Sequence, residues 1–208
     1  MKKLIYILIL VLTACEKKVD DKTQIKNCFD TYKQAALEND GKKAVSIIDK
    51  RTIVLYENML YYALHYDSME LSNLPTLEKL NVLTIKHIIN HDSLKQFTAK
   101  SLFENAINKG LVDKAGVLKV NIDTIIIYNN FAKATIKIPG KEKTNIGFTF
   151  YKEEEEWKLN LSDFFSIASS YLHQRLKEVY DNEDEALIDN IEEEYGNKPS
   201  PSIWHPIQ

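Results

Sequence analysis

Apolar residues recur every three or four positions through most of the first half of the chain, which predicts amphipathic helices. The first helix is predicted from Thr23 to Leu37, and its apolar stripe consists of Ile25, Cys28, Phe29, Tyr32, Ala35 and Ala36. Asn39-Asp40-Gly41 predicts the end of this helix, because glycine readily adopts the left-handed conformation that closes many helices. The same spacing predicts helices over residues 42–49, 52–66 and 77–89, and one more that His91-Asp92-Ser93 caps and that ends near Lys109-Gly110.

The spacing of apolar residues then changes to every second position, which predicts β-strands. Four alternating rows are separated by turns at Asn129-Asn130, at Pro139-Gly140 and over residues 152–156. Their predicted inward-facing residues are Leu118, Val120, Ile122, Thr124, Ile126 and Tyr128, then Ala132, Ala134, Ile136 and Ile138, then Ile146, Phe148 and Phe150, and finally Trp157, Leu159 and Leu161. Consecutive strands with short turns form an antiparallel meander with one buried face. The chain is therefore predicted to be an α+β protein, with N-terminal helices packed on a curved antiparallel sheet.

Helical spacing returns after the predicted sheet. One helix is predicted from Ser162 to about Tyr180, and a weaker one from Asp184 to Tyr195, which Gly196 ends. Residues 162–196 are therefore predicted to form C-terminal helices. The tail, residues 197–208, holds three of the five prolines and is predicted to be extended.

The first fourteen residues have the organisation of a secretory signal peptide. Lys2 and Lys3 precede an apolar run from Leu4 to Leu12, and small residues follow it. At about 1.5 Å per residue this run spans roughly 14 Å, whereas the hydrocarbon core of a bilayer is about 30 Å thick. The run is too short for a stable membrane-spanning helix, so the removal of residues 1–14 is predicted.

The residues that end at position 15 resemble the lipobox of bacterial lipoproteins. They are Leu12-Thr13-Ala14-Cys15, with a thiol that can form a thioether and small residues that fit a narrow peptidase cleft. The resemblance implies that Cys15 carries a diacylglycerol and that the peptidase cuts before it. Two or more acyl chains hold a protein firmly on a membrane, so the chain is expected in the cell envelope, anchored through Cys15. Residues 15–22 are predicted to form a lipidated, solvated tether.

The residue after the lipidated cysteine bears on which membrane holds the protein. It is Glu16, and not the aspartate that resembles an inner-membrane retention signal in many gram-negative lipoproteins. The resemblance therefore implies the outer membrane, if the source has two membranes.

The composition of the exported chain narrows the classes of function. Lys2 and Lys3 account for two of the 27 basic residues, so 25 basic residues stand against 30 acidic ones, a formal charge of −5. This balance argues against a nucleic-acid partner, because nucleic acids attract basic surfaces. After lipidation Cys28 is the remaining thiol. It cannot form an internal disulfide, and its helical spacing with Ile25 and Tyr32 predicts buried packing.

Several segments resemble the NTF2-like family of cone-shaped domains, especially its small lipoprotein members. They are the helix with Ala35-Ala36-Leu37, the Lys43-Ala44-Val45 helix, the hairpin from Ile122 to Ile138, Gly147-Phe148-Thr149-Phe150 and Trp157-Lys158-Leu159. The resemblance covers residues 23–161 and implies a concave sheet that helices close, with a pocket between them. In the family's isomerase and dehydratase branches, catalysis rests on paired tyrosine, aspartate or histidine residues, and no such set is matched in this chain.

Three groups of residues are candidates for chemistry, and each also has a structural interpretation. His87 and His91 would share one face of a helix, but zinc requires three or four ligands, so solvated or capping histidines are favoured and no metal is expected. Four tyrosines would either line a pocket or form the core and rim of one helix, which is favoured; they are Tyr56, Tyr61, Tyr62 and Tyr66. Residues 181–194 include eight carboxylates, and a solvated helix face is favoured over a surface that docks a basic protein.

The sequence contains no motif that identifies a catalytic centre. No serine stands in a nucleophile elbow, and no glycine-rich phosphate loop is present. The sequence therefore favours a non-catalytic lipoprotein whose domain binds a protein partner or a small ligand at the cell envelope, without a cofactor. One version of this hypothesis is an immunity protein that neutralises an envelope-acting toxin. The alternative from another class is an enzyme that acts on a small hydrophobic substrate in the pocket of the cone.

Overall fold

The structure is a computed structural model that describes residues 19–111, 114–137, 140 and 147–207. The predicted signal peptide and residues 15–18 of the predicted tether, which include Cys15, lie outside the described residues, as do Ile138, Pro139 and Ile146 of the predicted sheet. The helices are α1 (Asp21–Glu38), α2 (Gly41–Ile47), α3 (Lys50–His65), α4 (Ser68–Ser72), α5 (Thr76–Ile88), α6 (His91–Leu94), α7 (Ala99–Asn108), α8 (Lys114–Lys119), α9 (Ser162–Lys177) and α10 (Glu183–Tyr195). The strands are β1 (Asn121–Tyr128), β2 (Phe131–Lys137), β3 (Gly147–Glu153) and β4 (Glu156–Asn160).

These elements form an α+β fold, as the change of period along the sequence predicts. The four strands make one antiparallel sheet in the order β1-β2-β3-β4. The predicted inward rows of the last three strands are buried, namely Ala132, Ala134 and Ile136, Phe148 and Phe150, and Trp157 and Leu159. Among the described residues, no helix is both long enough and apolar enough to span a membrane.

The first strand differs from its prediction because a β-bulge reverses its faces. The register with β2 shifts by one residue between Ile122 and Ile125, and such an insertion moves every later side chain to the other face. Ile125 and Ile127 therefore pack against the core, whereas Ile126 and Tyr128, which the alternation places inward, are exposed. The strand also begins later than predicted, because α8 precedes it and Leu118 is an exposed residue of that helix.

The turn after α1 does not use its glycine as the sequence predicts. The left-handed residue is Asn39, with φ 58° and ψ 37°, and asparagine tolerates this conformation better than most residues. Gly41 instead begins α2 and lies against the backbone of Glu104 on α7, where a β-carbon would clash. This glycine is therefore required by helix packing and not by the turn.

The single helix predicted from residue 91 to residue 109 is divided into α6 and α7. Thr98 and Ser101 form a capping box, in which the amide of Thr98 donates to the Ser101 hydroxyl and the amide of Ser101 donates to the Thr98 hydroxyl. These reciprocal bonds satisfy two backbone donors and start α7 at Ala99. His91, predicted to cap the longer helix, begins the one-turn helix α6.

The C-terminal segment, residues 162–207, packs on the rest of the domain as a layer of helices. α9 packs on α5, and α10 packs on α9. The tail that the prolines predict to be extended contains a 3₁₀-helix at Pro201–Trp204. Ile203 is buried in the core, and the amide of Ile207 donates to the carbonyl of Leu64 at 2.9 Å. Burial of apolar surface offsets the entropy lost when such a segment is ordered, so the tail is packed and not free.

Candidate functional site

Core side chains fill the space between α1 and the sheet, where a cone-shaped domain would hold its pocket. The ring of Phe29 on α1 lies 5.4 Å from that of Phe148 on β3, measured between centroids. Phe150 and Trp157 are buried in the same cluster. Tyr32 is buried there too, and burial raises the pKa of its hydroxyl. This space is therefore occupied by the protein's own hydrophobic core.

The histidines singled out in the sequence are separated by a break in the helix. His87 lies on α5, which ends at Ile88, and His91 begins α6 after Asn90. The two imidazoles therefore do not share a helix face. Among the described residues, no group of three or more His, Cys, Asp or Glu side chains could hold a metal ion.

The four tyrosines of α3 and its C-cap lie in different environments. Tyr56 is buried, with its ring 4.9 Å from Phe103, whereas Tyr61 is 54% exposed. Tyr62 and Tyr66 are half-buried, with ring centroids 4.5 Å apart. The ring of Tyr61 lies 6.3 Å from that of Tyr62 and 6.0 Å from that of Tyr66. One tyrosine thus belongs to the core, and the other three rings cluster at the rim.

Cys28 has the surroundings of a packing residue. Its side chain is buried, and its Sγ atom lies 3.6 Å from the carbonyl oxygen of Ile47. Burial raises the pKa of the thiol to about 12. Because the thiolate is the reactive form, Cys28 is poorly suited to nucleophilic or redox chemistry.

A cleft of about 550 Å³ opens between the start of α5, the turn before it and one face of α9. Five hydroxyl groups, one imidazole and two carboxylates line it, contributed by Ser72, Thr76, Ser166, Ser169, Ser170, His173, Glu78 and Glu183; Asn73, Leu74 and Pro75 complete the walls. Ligand-binding sites are usually concave, with a few polar groups on a mostly apolar lining. This cleft is concave, but its lining is mostly polar, which suits a polar or charged ligand. We call it the α5–α9 cleft.

One wall of the α5–α9 cleft exists because α9 caps α5. Pro75, at the N-cap position of α5, provides no side-chain hydrogen bond to the helix. The hydroxyl of Ser169 on α9 instead accepts a hydrogen bond from the amide of Leu77 at 3.0 Å. The first amides of a helix have no partner within the helix. Because Ser169 accepts from one of them, this hydrogen bond holds the start of α5 against the middle of α9.

Glu183, the first residue of α10, joins three helices at one end of the cleft. Its Oε1 atom lies 3.0 Å from the ammonium of Lys79, and its Oε2 atom accepts from the hydroxyl of Thr76 at 3.1 Å. The Oε2 atom also contacts Nδ1 of His173. Burial raises the pKa of Glu183, but the hydrogen bonds from Lys79 and His173 outweigh this effect, so the pKa lies below its ordinary value.

Lys79 is the buried cation of this network. Its side chain is 4% exposed, and its ammonium lies 2.8 Å from Oδ1 of Asp184 in addition to its contact with Glu183. Burial alone would lower the pKa of Lys79, but the two carboxylates raise it above the ordinary value. Lys79 therefore stays charged and holds the start of α10 on α5. We refer to Thr76, Lys79, His173, Glu183 and Asp184 as the α10 latch.

The imidazole of His173 is oriented by the latch and faces the cleft. Its contact with Glu183 uses Nδ1, so Nε2 is the ring atom directed away from that carboxylate. A carboxylate–imidazole pair can accept a proton from a neighbouring nucleophile. Among the described residues, however, no serine hydroxyl is hydrogen-bonded to His173; its hydroxyl neighbour is Thr76, at 3.2 Å from Nδ1. The geometry therefore suits hydrogen bonding to a bound group.

Glu78 is the other carboxylate of the cleft, and its situation differs from that of Glu183. The side chain is half-buried, and burial raises its pKa above the ordinary value. Within the part of the chain that the structure describes, Glu78 has no hydrogen bond and no ion pair. It is therefore a partly desolvated acid that faces an open space without a cation.

Sequence reasoning did not identify the α5–α9 cleft. Thr76 and His173 are 97 positions apart, and no short motif joins them. The acidic stretch 181–194 was noticed, but the fold divides it: Glu183 and Asp184 bind Lys79, whereas the later carboxylates Glu185, Asp189, Glu192, Glu193 and Glu194 are exposed. The available sequence signals were the proline at the N-cap of α5 and the serines at 166, 169 and 170 within one helix.

Comparison with known proteins does not assign the chain to a family. No family model, no curated protein and no solved structure matches it. The α5–α9 cleft is therefore interpreted from its own residues.

Proposed function

We propose that the chain is a lipoprotein that Cys15 anchors in the cell envelope, and that its domain binds a protein partner or small ligand without catalysis. The main support for this proposal is the difference between the space beside the sheet and the α5–α9 cleft. Core aromatic rings fill the space beside the sheet, whereas the α5–α9 cleft is open and lined by hydrogen-bonding groups. A bound molecule would therefore find its contacts in the cleft.

The proposed architecture is an NTF2-like cone with additional C-terminal helices. The order of α1, α2 and α3 before a four-stranded meander supports it, as does the packing of α1 on β4 and β1. The cleft combines α5 from the NTF2-like segment, residues 23–161, with α9 and α10 from residues 162–196. In this proposal the C-terminal helices supply half of the binding site.

A lipid on Cys15 would hold the domain by the start of α1. There the carboxylate of Asp21 accepts a hydrogen bond from the indole of Trp157 at 2.9 Å, so the β3–β4 hairpin lies beside the tether. The amide of Lys50, which begins α3, donates to Glu153 of the same hairpin at 3.2 Å. The α3 helix has 16 residues and is about 24 Å long. Its other end, which α4 connects to the cleft, lies far from the anchor.

This arrangement would present the cleft on the side of the domain that faces away from the membrane. Residues 15–20 span at most about 21 Å when fully extended. The tether would therefore keep the start of α1 within about 21 Å of the lipid surface, and partners would reach the cleft from the aqueous side.

Replacement of Cys15 tests the anchor. The Cys15→Ala variant should lose labelling by a fatty-acid analogue and should be released from membranes. The matched control is Cys28→Ala, which removes the chain's other cysteine and should keep the label. Continued labelling of Cys15→Ala would contradict the proposed lipidation.

A bulky substitution in the cleft tests the binding role. Ser170 lines the cleft, so Ser170→Trp should obstruct it, whereas Gln174→Trp changes an exposed residue of α9 outside the lining. After affinity purification in mild detergent, mass spectrometry should find a bound molecule with wild type and Gln174→Trp, and not with Ser170→Trp. Retention by Ser170→Trp would show that binding occurs elsewhere. Conversion of a small molecule that depends on His173 would favour the enzyme alternative.

A further inference from the structure

Carboxylates outnumber cations around the α5–α9 cleft, where Arg175 and Lys177 lie in the last turn of α9 and Lys198 lies beside Glu185 and Asp189. No lysine or arginine occurs between Arg51 and Lys79, and Lys79 is buried in the latch. None occurs between Lys177 and Lys198 either, a stretch that includes the whole of α10. The exposed carboxylates of these segments include Glu70, Glu185, Asp189, Glu192, Glu193 and Glu194. A ligand that approaches the cleft therefore meets a negative potential, which attracts cations.

A second depression lies beside the cleft. This depression, of about 310 Å³, is lined by Tyr66, Glu70, Asn73 and Leu74, and it shares Asn73 and Leu74 with the cleft. It contains an aromatic ring and a carboxylate, and both attract a cation, the ring through its face. The two depressions are therefore neighbours, with Glu78 in one and Tyr66 and Glu70 in the other, and we call the pair the groove.

Two neighbouring depressions that each contain a carboxylate favour a ligand with two spaced cationic groups over a ligand with one. A small amine would occupy only the part beside Glu78. A peptide segment would fill both parts, and its backbone would find hydroxyl and amide groups such as those of Ser72, Asn73 and Ser170 along the walls. The exposed carboxylates of α10 begin beside Glu183 at the edge of the groove and extend the acidic surface beyond it.

On the assumption that the cleft is the binding site proposed above, we propose that the groove binds an extended segment of a basic partner protein. One lysine or arginine side chain enters the α5–α9 cleft, where Glu78 is its counter-ion. A second cationic side chain lies over Tyr66 beside Glu70. The burial that raises the pKa of Glu78 also strengthens its attraction for a cation, because the pair is less screened by water.

Binding of a defined peptide to the full-length protein in non-ionic detergent micelles tests the proposal. The probe is a short fluorescent peptide with two arginines spaced by glycine and serine, and fluorescence anisotropy measures its affinity. An otherwise identical peptide with citrulline keeps the shape of each arginine but removes the charge, and it should not bind. Equal binding of both peptides, or no binding of the arginine peptide, would overturn the proposal.

Matched carboxylate variants distinguish a site from general attraction. Glu78→Gln should weaken binding of the arginine peptide about fivefold, the factor that corresponds to a partly screened ion pair. Glu57→Gln removes the same charge from an exposed position on α3 outside the groove and should leave the affinity unchanged. If both variants bound the arginine peptide equally weakly, net charge alone would explain the loss of affinity. That result would refute a specific role for Glu78.

Spermidine serves as the small cation in the same assay. If it displaces the peptide as effectively as unlabelled peptide does, the groove recognises an amine and not a protein segment, and the proposed partner class is wrong. The earlier proposal has separate measurements, namely labelling of Cys15 and recovery of a bound molecule that Ser170→Trp prevents. A positive result there, together with a failed arginine peptide, would overturn only the inference about basic partners.

Discussion

Two networks of buried charge hold this fold together, and they differ in their access to solvent. The first joins the start of α3 to the end of β4, where Asp49 accepts hydrogen bonds from the amide and hydroxyl of Thr52 and from the side-chain amide of Asn160, each at 2.9–3.0 Å. All three residues are fully buried. The second is the α10 latch, in which Lys79 is buried but its partners Glu183 and Asp184 are partly exposed.

The difference shows how surroundings give similar residues different roles. Both oxygens of the Asp49 carboxylate accept hydrogen bonds, including one from Arg51 at 3.3 Å. Asp49 lines neither the α5–α9 cleft nor the depression beside it, so this network stabilises the fold. The α10 latch has the same kinds of groups but borders the α5–α9 cleft. Its carboxylates position His173 and the start of α10, while Glu78 beside them has no cation among the described residues. Four substitutions, one in each network, one at the buried Lys86 and one at Glu78 in the cleft, test how burial and partners set the role of a charged group.

The largest loss of stability is expected from Asp49→Ala. The substitution leaves the buried donors of Thr52 and Asn160 without an acceptor, and each such group costs free energy. We expect the free energy of unfolding to fall by about 3 kcal/mol. Urea denaturation followed by circular dichroism measures it. Asp30→Ala, at an exposed position on α1, is the control and should change stability by less than about 0.5 kcal/mol.

Lys79→Met should have the next largest effect, because it leaves the carboxylates of Glu183 and Asp184 without their cation. Their partial exposure lets water compensate, so we expect a loss of about 2 kcal/mol, less than for a fully buried pair. Hydrogen exchange should accelerate in α10 more than in the sheet. Lys177→Met changes an exposed lysine of α9 and serves as the control. Uniform acceleration across all elements would mean that the latch does not act locally on α10.

Lys86→Met is expected to stabilise the protein at neutral pH. The ammonium of Lys86 is buried, donates to the carbonyl of His205 at 2.6 Å, and has a pKa that burial lowers to about 8. Between pH 8 and the ordinary value of 10.5, Lys86 is protonated in the unfolded chain but largely neutral in the folded protein. The contribution of Lys86 to the free energy of unfolding of the wild type therefore rises with pH in this range. We expect the variant to be more stable by about 1 kcal/mol at pH 7, with the difference vanishing near pH 10.

Thermal unfolding at a series of pH values measures this difference, with Lys100→Met at an exposed position as the control. A destabilised Lys86→Met variant whose difference from wild type is independent of pH would show that the hydrogen bond to the tail outweighs the cost of burying the charge.

The smallest effect on stability is expected from Glu78→Gln, within about 0.5 kcal/mol. Because burial raises the pKa of Glu78, its negative charge costs stability at neutral pH, and glutamine should be slightly stabilising. The gain should shrink as the pH falls through the raised pKa of Glu78 in the folded state and should be small below about 4.5, the ordinary value, because the carboxyl is then protonated in both states. Chemical denaturation at pH 7 and at pH 3.5 compares the two proteins. A clear loss of stability in Glu78→Gln would instead assign Glu78 to the structural networks.

Local patterns were sufficient to predict most of the fold. The stripe of α1, the meander and the helices that follow it were all visible as spacings of 3.6 or 2 residues. The face that β1 presents could not be predicted in this way, because the bulge between Ile122 and Ile125 depends on the register with β2. The same limit explains Gly41, which has a role only because α7 packs against it.

The sequence by itself determined the class of fold, the negative charge, and the prediction of an anchor at Cys15, since each depends on composition or on adjacent residues. Only the tertiary structure decided which carboxylates are sealed in the core and which border a cleft. Asp49, Glu78 and Glu183 are all acidic residues near the start of a helix in the sequence. Their roles differ because burial, neighbouring cations and open space are set by helices that meet from distant parts of the chain.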